Sequence, residues 1–176
     1  MISKYLIVLI SRLEGIIRWI GKGISWLNPL LVLLIIVDVF VRYFLSESAA
    51  WISEVEWHLF SLMFLLGGAY TLQEDQHVRV DVLFQNWSPR QQALTNLIGH
   101  SLLVIPLCLF LIPPAWDYFL QSWQSAEESG DAGGLKALYP IKLAIPLAFI
   151  LLLAQSGAES LKSLLLILTP SQKIHA

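Results

Sequence analysis

Apolar residues along the chain fall into four long runs separated by short polar stretches. A helix of about 20 apolar residues crosses the ~30 Å hydrocarbon core of a bilayer. The runs predict four such spans, at residues 24–45, 54–73, 91–112 and 140–168. Residues 1–22 differ. Read as a helix, Ile2, Leu6, Leu9, Leu13, Ile16, Ile17 and Ile20 form one face, while Lys4, Ser11, Gly15, Arg18 and Lys22 share the other. That pattern predicts an amphipathic helix lying in the membrane interface. A signal peptide fits less well, because the run Tyr5–Ile10 is short, Arg12, Glu14 and Arg18 interrupt the apolar residues after it, and no small-residue cleavage site appears. Gly21 and Gly23 are expected to break this helix from the first span. Asn28-Pro29 is either an N-cap with proline at the first helical position or a kink in a longer helix.

The second span has a sharper start signal. Ser53-Glu54-Val55-Glu56 has the form of a capping box, which places the helix start at Glu54, with Ile52 and Trp57 as a hydrophobic staple. Within the span, Gly67-Gly68-Ala69 offers a smooth patch where another helix can approach closely. Val80, Leu83, Phe84 and Trp87 then keep helical spacing, predicting a short helix flat on the membrane. Ser88-Pro89-Arg90-Gln91 is a second capping box. The third span is expected to bend at Pro106 and stop at Pro113-Pro114, with the aromatic segment Trp116–Trp123 extending into the interface. A polar loop at 124–137 leads to the fourth span, where Gln155, Glu159, Lys162 and Ser163 form one polar stripe. Residues 169–176 form a tail.

Composition agrees with a membrane protein. The chain is 56% hydrophobic and only 14% charged, with mean hydropathy +0.67, against roughly 25% charged residues in soluble domains. Trp and Tyr gather near the ends of the apolar runs, as in an interfacial belt. A net charge of −2 without a basic cluster argues against a nucleic-acid partner. With Cys108 alone, no intrachain disulfide can form. The fold expected is all-α: a four-helix integral membrane protein with an N-terminal interfacial helix and a flat helix between spans two and three. Lys4, Arg12, Arg18, Lys22, Arg79, Arg90, Lys162 and Lys173 lie on one side of the membrane and Arg42, Lys136 and Lys142 on the other. This bias predicts both termini in the cytoplasm and the acidic loop outside.

Asp38 lies inside span one with Arg42 one turn later, so the two can pair. An unpaired charge there would cost at least ~2.5–3.5 kcal/mol. Glu54 and Glu56 at the mouth of span two either serve the helix start or pair with Arg42 or with a partner. No nucleotide-binding loop, zinc-protease motif, C-x-x-C or nucleophile elbow is present, so neither an enzyme nor a cofactor is expected. The alternative is a respiratory membrane anchor holding haem between His58 and His100. Counted from the span mouths, those two are offset by roughly 10 Å along the membrane normal, whereas haem ligation needs them level.

The ordered set Arg42-Tyr43, Trp51-x-x-Glu54-x-Glu56, Leu66-Gly67-Gly68-Ala69 and His77-x-Arg79-Val80-Asp81 resembles the small membrane subunit of tripartite ATP-independent periplasmic (TRAP) transporters. The family usually has adjacent acids at the start of span two; here Val55 separates them. The distal pattern Glu128-Ser129-Gly130-Asp131, Gly133-Gly134-Leu135, Lys142, Pro146 and Gln155 resembles the branch serving carboxylates such as 2-oxo acids. The resemblance implies a non-catalytic inner-membrane subunit of a sodium-driven importer. Its partners would be a large permease subunit, a periplasmic substrate-binding protein and membrane lipids. It also implies interface or structural roles for Asp38, Arg42, Glu54, Glu56, Gly67, Gly68, His77, Arg79, Asp81, Gln155 and Glu159.

Overall fold

The computed structural model describes residues 2–45, 49–74 and 87–168, and these are helical apart from short connections. Helix α1 spans Ile2–Ser25 and α2 spans Leu27–Phe40, its last turns widening into a π-helical segment, Val41–Leu45. The expected break at Gly21 and Gly23 does not occur. A mid-helix glycine costs only about 1 kcal/mol relative to alanine, and Gly21 is where α1 packs hard against Tyr70. The interruption falls instead at Trp26, whose N–H bonds the Gly23 carbonyl at 3.2 Å. Asn28 is therefore not a cap, and Pro29 sits within the first turn of α2, where its missing N–H does no harm. The rod Leu6–Phe44 has 39 residues, a length of roughly 58 Å. That is about twice the hydrocarbon core, so much of α1 lies beyond it.

Helix α3 spans Ala50–Gln73, starting earlier than the expected Glu54. Ala49 precedes it without a side-chain cap, and Ser53 is already helical, so the expected capping box is not formed. Trp57 is 72% exposed, so the staple is absent too. Ile52 is buried, and continuing the apolar face upstream outweighs the ~1 kcal/mol a cap provides.

Helix α4 spans Pro89–Ile98 and has the expected capping box between Ser88 and Gln91. It passes through a π-helical segment, Gly99–Val104, into α5, Ile105–Gln124. Pro106 cannot donate to the Leu102 carbonyl and its ring presses on it; the wider turns just before it make that room. Pro113 and Pro114 lie inside α5 and do not end it. Proline holds φ near the helical value, so the loss is limited to two hydrogen bonds. Edge-on and tilted contacts among the rings of Trp116, Phe119 and Trp123 line the helix beyond the prolines.

Helix α6 spans Tyr139–Leu168 and is the centre of the bundle, packing against α1, α3, α4 and α5. Its buried positions include Ala144, Ala148, Ser156, Ala158 and Ser163, and such small residues let neighbouring helices approach closely. Among the described residues, three helices are long and apolar enough to cross a membrane: Leu6–Phe44, Pro89–Gln124 and Tyr139–Leu168. The fourth, α3, is 24 residues long but carries Glu54, Glu56 and His58 in its first turns. Outward faces are apolar, as Leu33, Ile36 and Phe40 on α2 and Leu103 and Phe110 in the third span illustrate. The flat helix expected at 80–87 lies, except for Trp87, outside the described residues, as do His77, Arg79, Asp81 and the tail.

Candidate functional site

The polar side chains of the bundle collect at its two ends. At one end, the loop between α5 and α6 is folded on itself. Ser129 N–H donates to Leu135 O at 2.9 Å, Leu138 N–H to Glu127 O at 3.0 Å and Gly134 N–H to Asp131 O at 3.0 Å. Glu54 of α3 seals it: its carboxylate accepts the Ser129 hydroxyl and the Leu135 N–H, the latter at 2.6 Å. Gly134 is needed for this approach, since a Cβ there would lie 2.5 Å from Ser129 Oγ and 2.7 Å from Glu54 Oε1. Lys142 of α6 donates to Glu127 and lies 4.1 Å from the centre of the Tyr118 ring. The carboxylate near the start of α3 thus holds a loop through Ser129, 75 residues later in the chain.

The hydrogen bond from Lys142 holds the Glu127 carboxyl below the usual carboxylate range. With the folded value the lower one, this bond stabilises the loop fully above the ordinary range and is lost as pH falls through the folded value. A fluorophore on Asp131→Cys is expected to gain mobility below about pH 4. In Lys142→Met it should be mobile already at neutral pH, with a smaller further change on acidification. An identical acid response in both proteins would show that the pair does not hold the loop.

At the opposite end, Glu14 of α1 pairs with Lys162 of α6 at 2.7 Å. Lys162 also bonds Glu159 at 2.6 Å, and Glu159 accepts from the fully buried Gln155 at 2.9 Å. Gln73 of α3 donates to Glu14 O at 3.0 Å, and Arg18 lies 3.5 Å from Glu74. Ile10 and Ile17 are buried beneath these contacts. The stripe read from α6 is therefore a tether, and α1 is docked on α3 and α6 as well as amphipathic. Between the ends, Ser101 of the π-helical segment meets Ser160 of α6 at 3.3 Å.

Arg42 pairs with Asp38 within its own helix, in keeping with their spacing. Among the described residues neither Glu54 nor Glu56 forms an ion pair with it. Glu56 Oε1 is buried without a hydrogen-bond partner among them, beside a cavity of about 320 Å³ lined by Leu31, Ile35, Trp57 and Phe60. Gly67 and Gly68 have no atom within 4 Å of a built Cβ. With Ala69, Ala148 and Leu152 they border a groove of about 560 Å³, which no helix among the described residues fills. His58 Nδ1 lies 2.5 Å from the Glu54 carbonyl, so that nitrogen carries the hydrogen. His100 belongs to the third span, and α6 packs between that span and α3. The two histidines are thus not on directly facing helices, and the haem reading loses its geometry. Sequence reasoning did not single out Ser129, Gly134, Glu14 and Lys162 as contacts. The signals were there, in a Gly-Gly pair inside an acidic loop and an acid interrupting an apolar helix.

A family model described as "Tripartite ATP-independent periplasmic transporters, DctQ component" matches residues 31–165. The chain belongs to the DctQ family. This places it among the small permease subunits of TRAP transporters and leaves the respiratory-anchor alternative without support. It is also similar to a Haemophilus influenzae protein provisionally named a TRAP transporter small permease protein, at 29% identity over 90 residues. That alignment covers 51% of this chain and 55% of the relative, so the chain spans about half the length of the curated relative it matches. The DctQ match takes in Glu54, the loop it holds and Lys142, while Glu14, Arg18 and Gly21 lie before it.

Proposed function

We propose that this DctQ protein is the stationary, non-catalytic scaffold of a sodium-driven importer of a carboxylate, with a 2-oxo acid the substrate class its distal pattern suggests. It binds the large permease subunit within the lipid bilayer, and its sealed loop end helps receive the periplasmic substrate-binding protein. In this reading α3 is the second span, the membrane is the bacterial inner membrane, and both termini are cytoplasmic. Asp38–Arg42 and the Gln155–Glu159 stripe are structural pairings. Gly67, Gly68, His77, Arg79 and Asp81 belong to surfaces facing partners.

One observation supports a stationary role above the rest. Glu54 and Lys142 tie the helices at one end, and Glu14, Gln73 and Lys162 tie them at the other. A subunit that slid helices past one another would have to break both sets. Locking the bundle should therefore leave transport intact. Oxidation of a Ser101→Cys/Ser160→Cys pair, whose hydroxyls are 3.3 Å apart, is expected to leave sodium-driven uptake in proteoliposomes unchanged. The assay contains the large permease and the binding protein. Uptake lost on oxidation and regained on reduction would mean that this chain moves during transport, and the scaffold reading would be abandoned.

A further inference from the structure

We infer that the face of α2 and α3 around Glu56 is where the large permease subunit docks, with a lysine or arginine of that subunit completing an ion pair with Glu56. This rests on the scaffold reading above and specifies the surface it uses. Near the start of α3, Glu56 lies within reach of the charges of Asp38 and Arg42, while Glu54 faces the loop between α5 and α6. Arg42 is paired with Asp38, and Glu54 is occupied by Ser129 and Leu135. Glu56 is left over, with Oε1 buried and no hydrogen-bond partner among the described residues. Asp38 and Arg42 act on it with opposite signs and are already paired to each other. An excess carboxylate, half-buried with one oxygen out of reach of water, is stabilised by a cation.

The surroundings suggest where that cation comes from. Glu56 is six residues into α3, roughly 9 Å from its start. It lines a cavity of about 320 Å³ whose walls are Leu31, Ile35, Trp57 and Phe60. Trp57 is 72% and Phe60 59% exposed. Aromatic anchors around a half-buried charge match the make-up of an interface centre. Acyl chains would cover the aromatics but supply no cation. A second copy docking through the same patch by two-fold symmetry would set Glu56 against Glu56. The remaining occupant is a different chain with a basic side chain at this depth.

The test uses the chain co-expressed with the large permease. A photo-crosslinking residue replaces Phe60 or, as a control face, Phe110 of α5, with Glu56 intact. Separately, Glu56→Gln and Glu56→Lys are measured for binding to the permease. The expected result is a Phe60 crosslink to the permease, placed by mass spectrometry near a lysine or arginine. Binding should weaken at least about thirty-fold in Glu56→Gln, the low end for truncating one partner of a buried charge pair, and further in Glu56→Lys. Capture of lipid or a second copy at Phe60, or wild-type affinity in Glu56→Gln, overturns the inference. A permease crosslink from Phe110 but not Phe60 also overturns it while leaving the scaffold reading standing. Failure of the wild-type chain to hold the permease at all overturns both.

Discussion

Gly134→Ala is expected to unseat the loop between α5 and α6 and to lower the stability of the protein by about 2–4 kcal/mol. The added Cβ would lie 2.5 Å from Ser129 Oγ, 2.6 Å from Ser129 Cβ and 2.7 Å from Glu54 Oε1, all closer than such atoms can sit. Either Ser129 or Glu54 must withdraw. Overpacking costs about 1–3 kcal/mol, and each lost hydrogen bond to a charged group a further ~1.5–3 kcal/mol. Two neighbouring glycines separate this effect from ordinary glycine replacement. Gly133 has φ of +79°, so Gly133→Ala should cost about 1–2 kcal/mol through backbone strain alone. Gly130 has nothing within 4 Å of a built Cβ, so Gly130→Ala should change stability by less than about 0.5 kcal/mol. Thermal unfolding in detergent and tryptic cleavage after Lys136 would rank the three. If Gly134→Ala behaves like Gly130→Ala, the Glu54 contact does not hold the loop.

A comparable loss is expected from Gly21→Ala, at the other end of the bundle. A Cβ there would sit 2.2 Å from Tyr70 Cγ and 2.5 Å from Tyr70 Cβ. These atoms are next to the α3 backbone, so the ring cannot simply swing aside and the helices must separate. The separation strains the neighbouring Gln73–Glu14 and Arg18–Glu74 contacts, for a total cost of about 2–3 kcal/mol. Tyr70→Ala in the same chain removes Cγ but keeps Cβ, so it should recover only part of the loss, with a coupling of at least about 0.5 kcal/mol. Gly23 is the control, two residues on and with nothing within 4 Å. Gly23→Ala should be neutral or should stabilise by up to about 1 kcal/mol through helix propensity. Equal effects at Gly21 and Gly23 in unfolding measurements would mean that Gly21 serves backbone conformation and not packing.

The two glycines show where local reading stops. From sequence, Gly21 and Gly23 look alike, both punctuating an apolar run. Only the position of Tyr70, 49 residues later in the chain, makes one of them a contact and leaves the other open. Helix starts divide the same way. The Ser88–Gln91 box formed as expected because its polar partners are neighbours in the chain. The box at Ser53–Glu56 did not, because burying Ile52 favoured a helix begun at Ala50.

By itself the sequence determined that the protein is helical, that its long apolar runs belong in a bilayer, and that Asp38 and Arg42 pair. Each of these depends on composition or on spacings within a few residues. The tertiary structure alone decided which of the remaining charges are satisfied. Glu54 went to a loop 75 residues away and Lys162 to Glu14, 148 residues away, leaving Glu56 with a buried oxygen that has no hydrogen-bond partner among the described residues. Periodicity places a side chain on a face, but the choice of partner depends on which helices lie side by side and at what depth. Here the small residues along α6 made that choice, by letting α3 and the third span close on it from different sides.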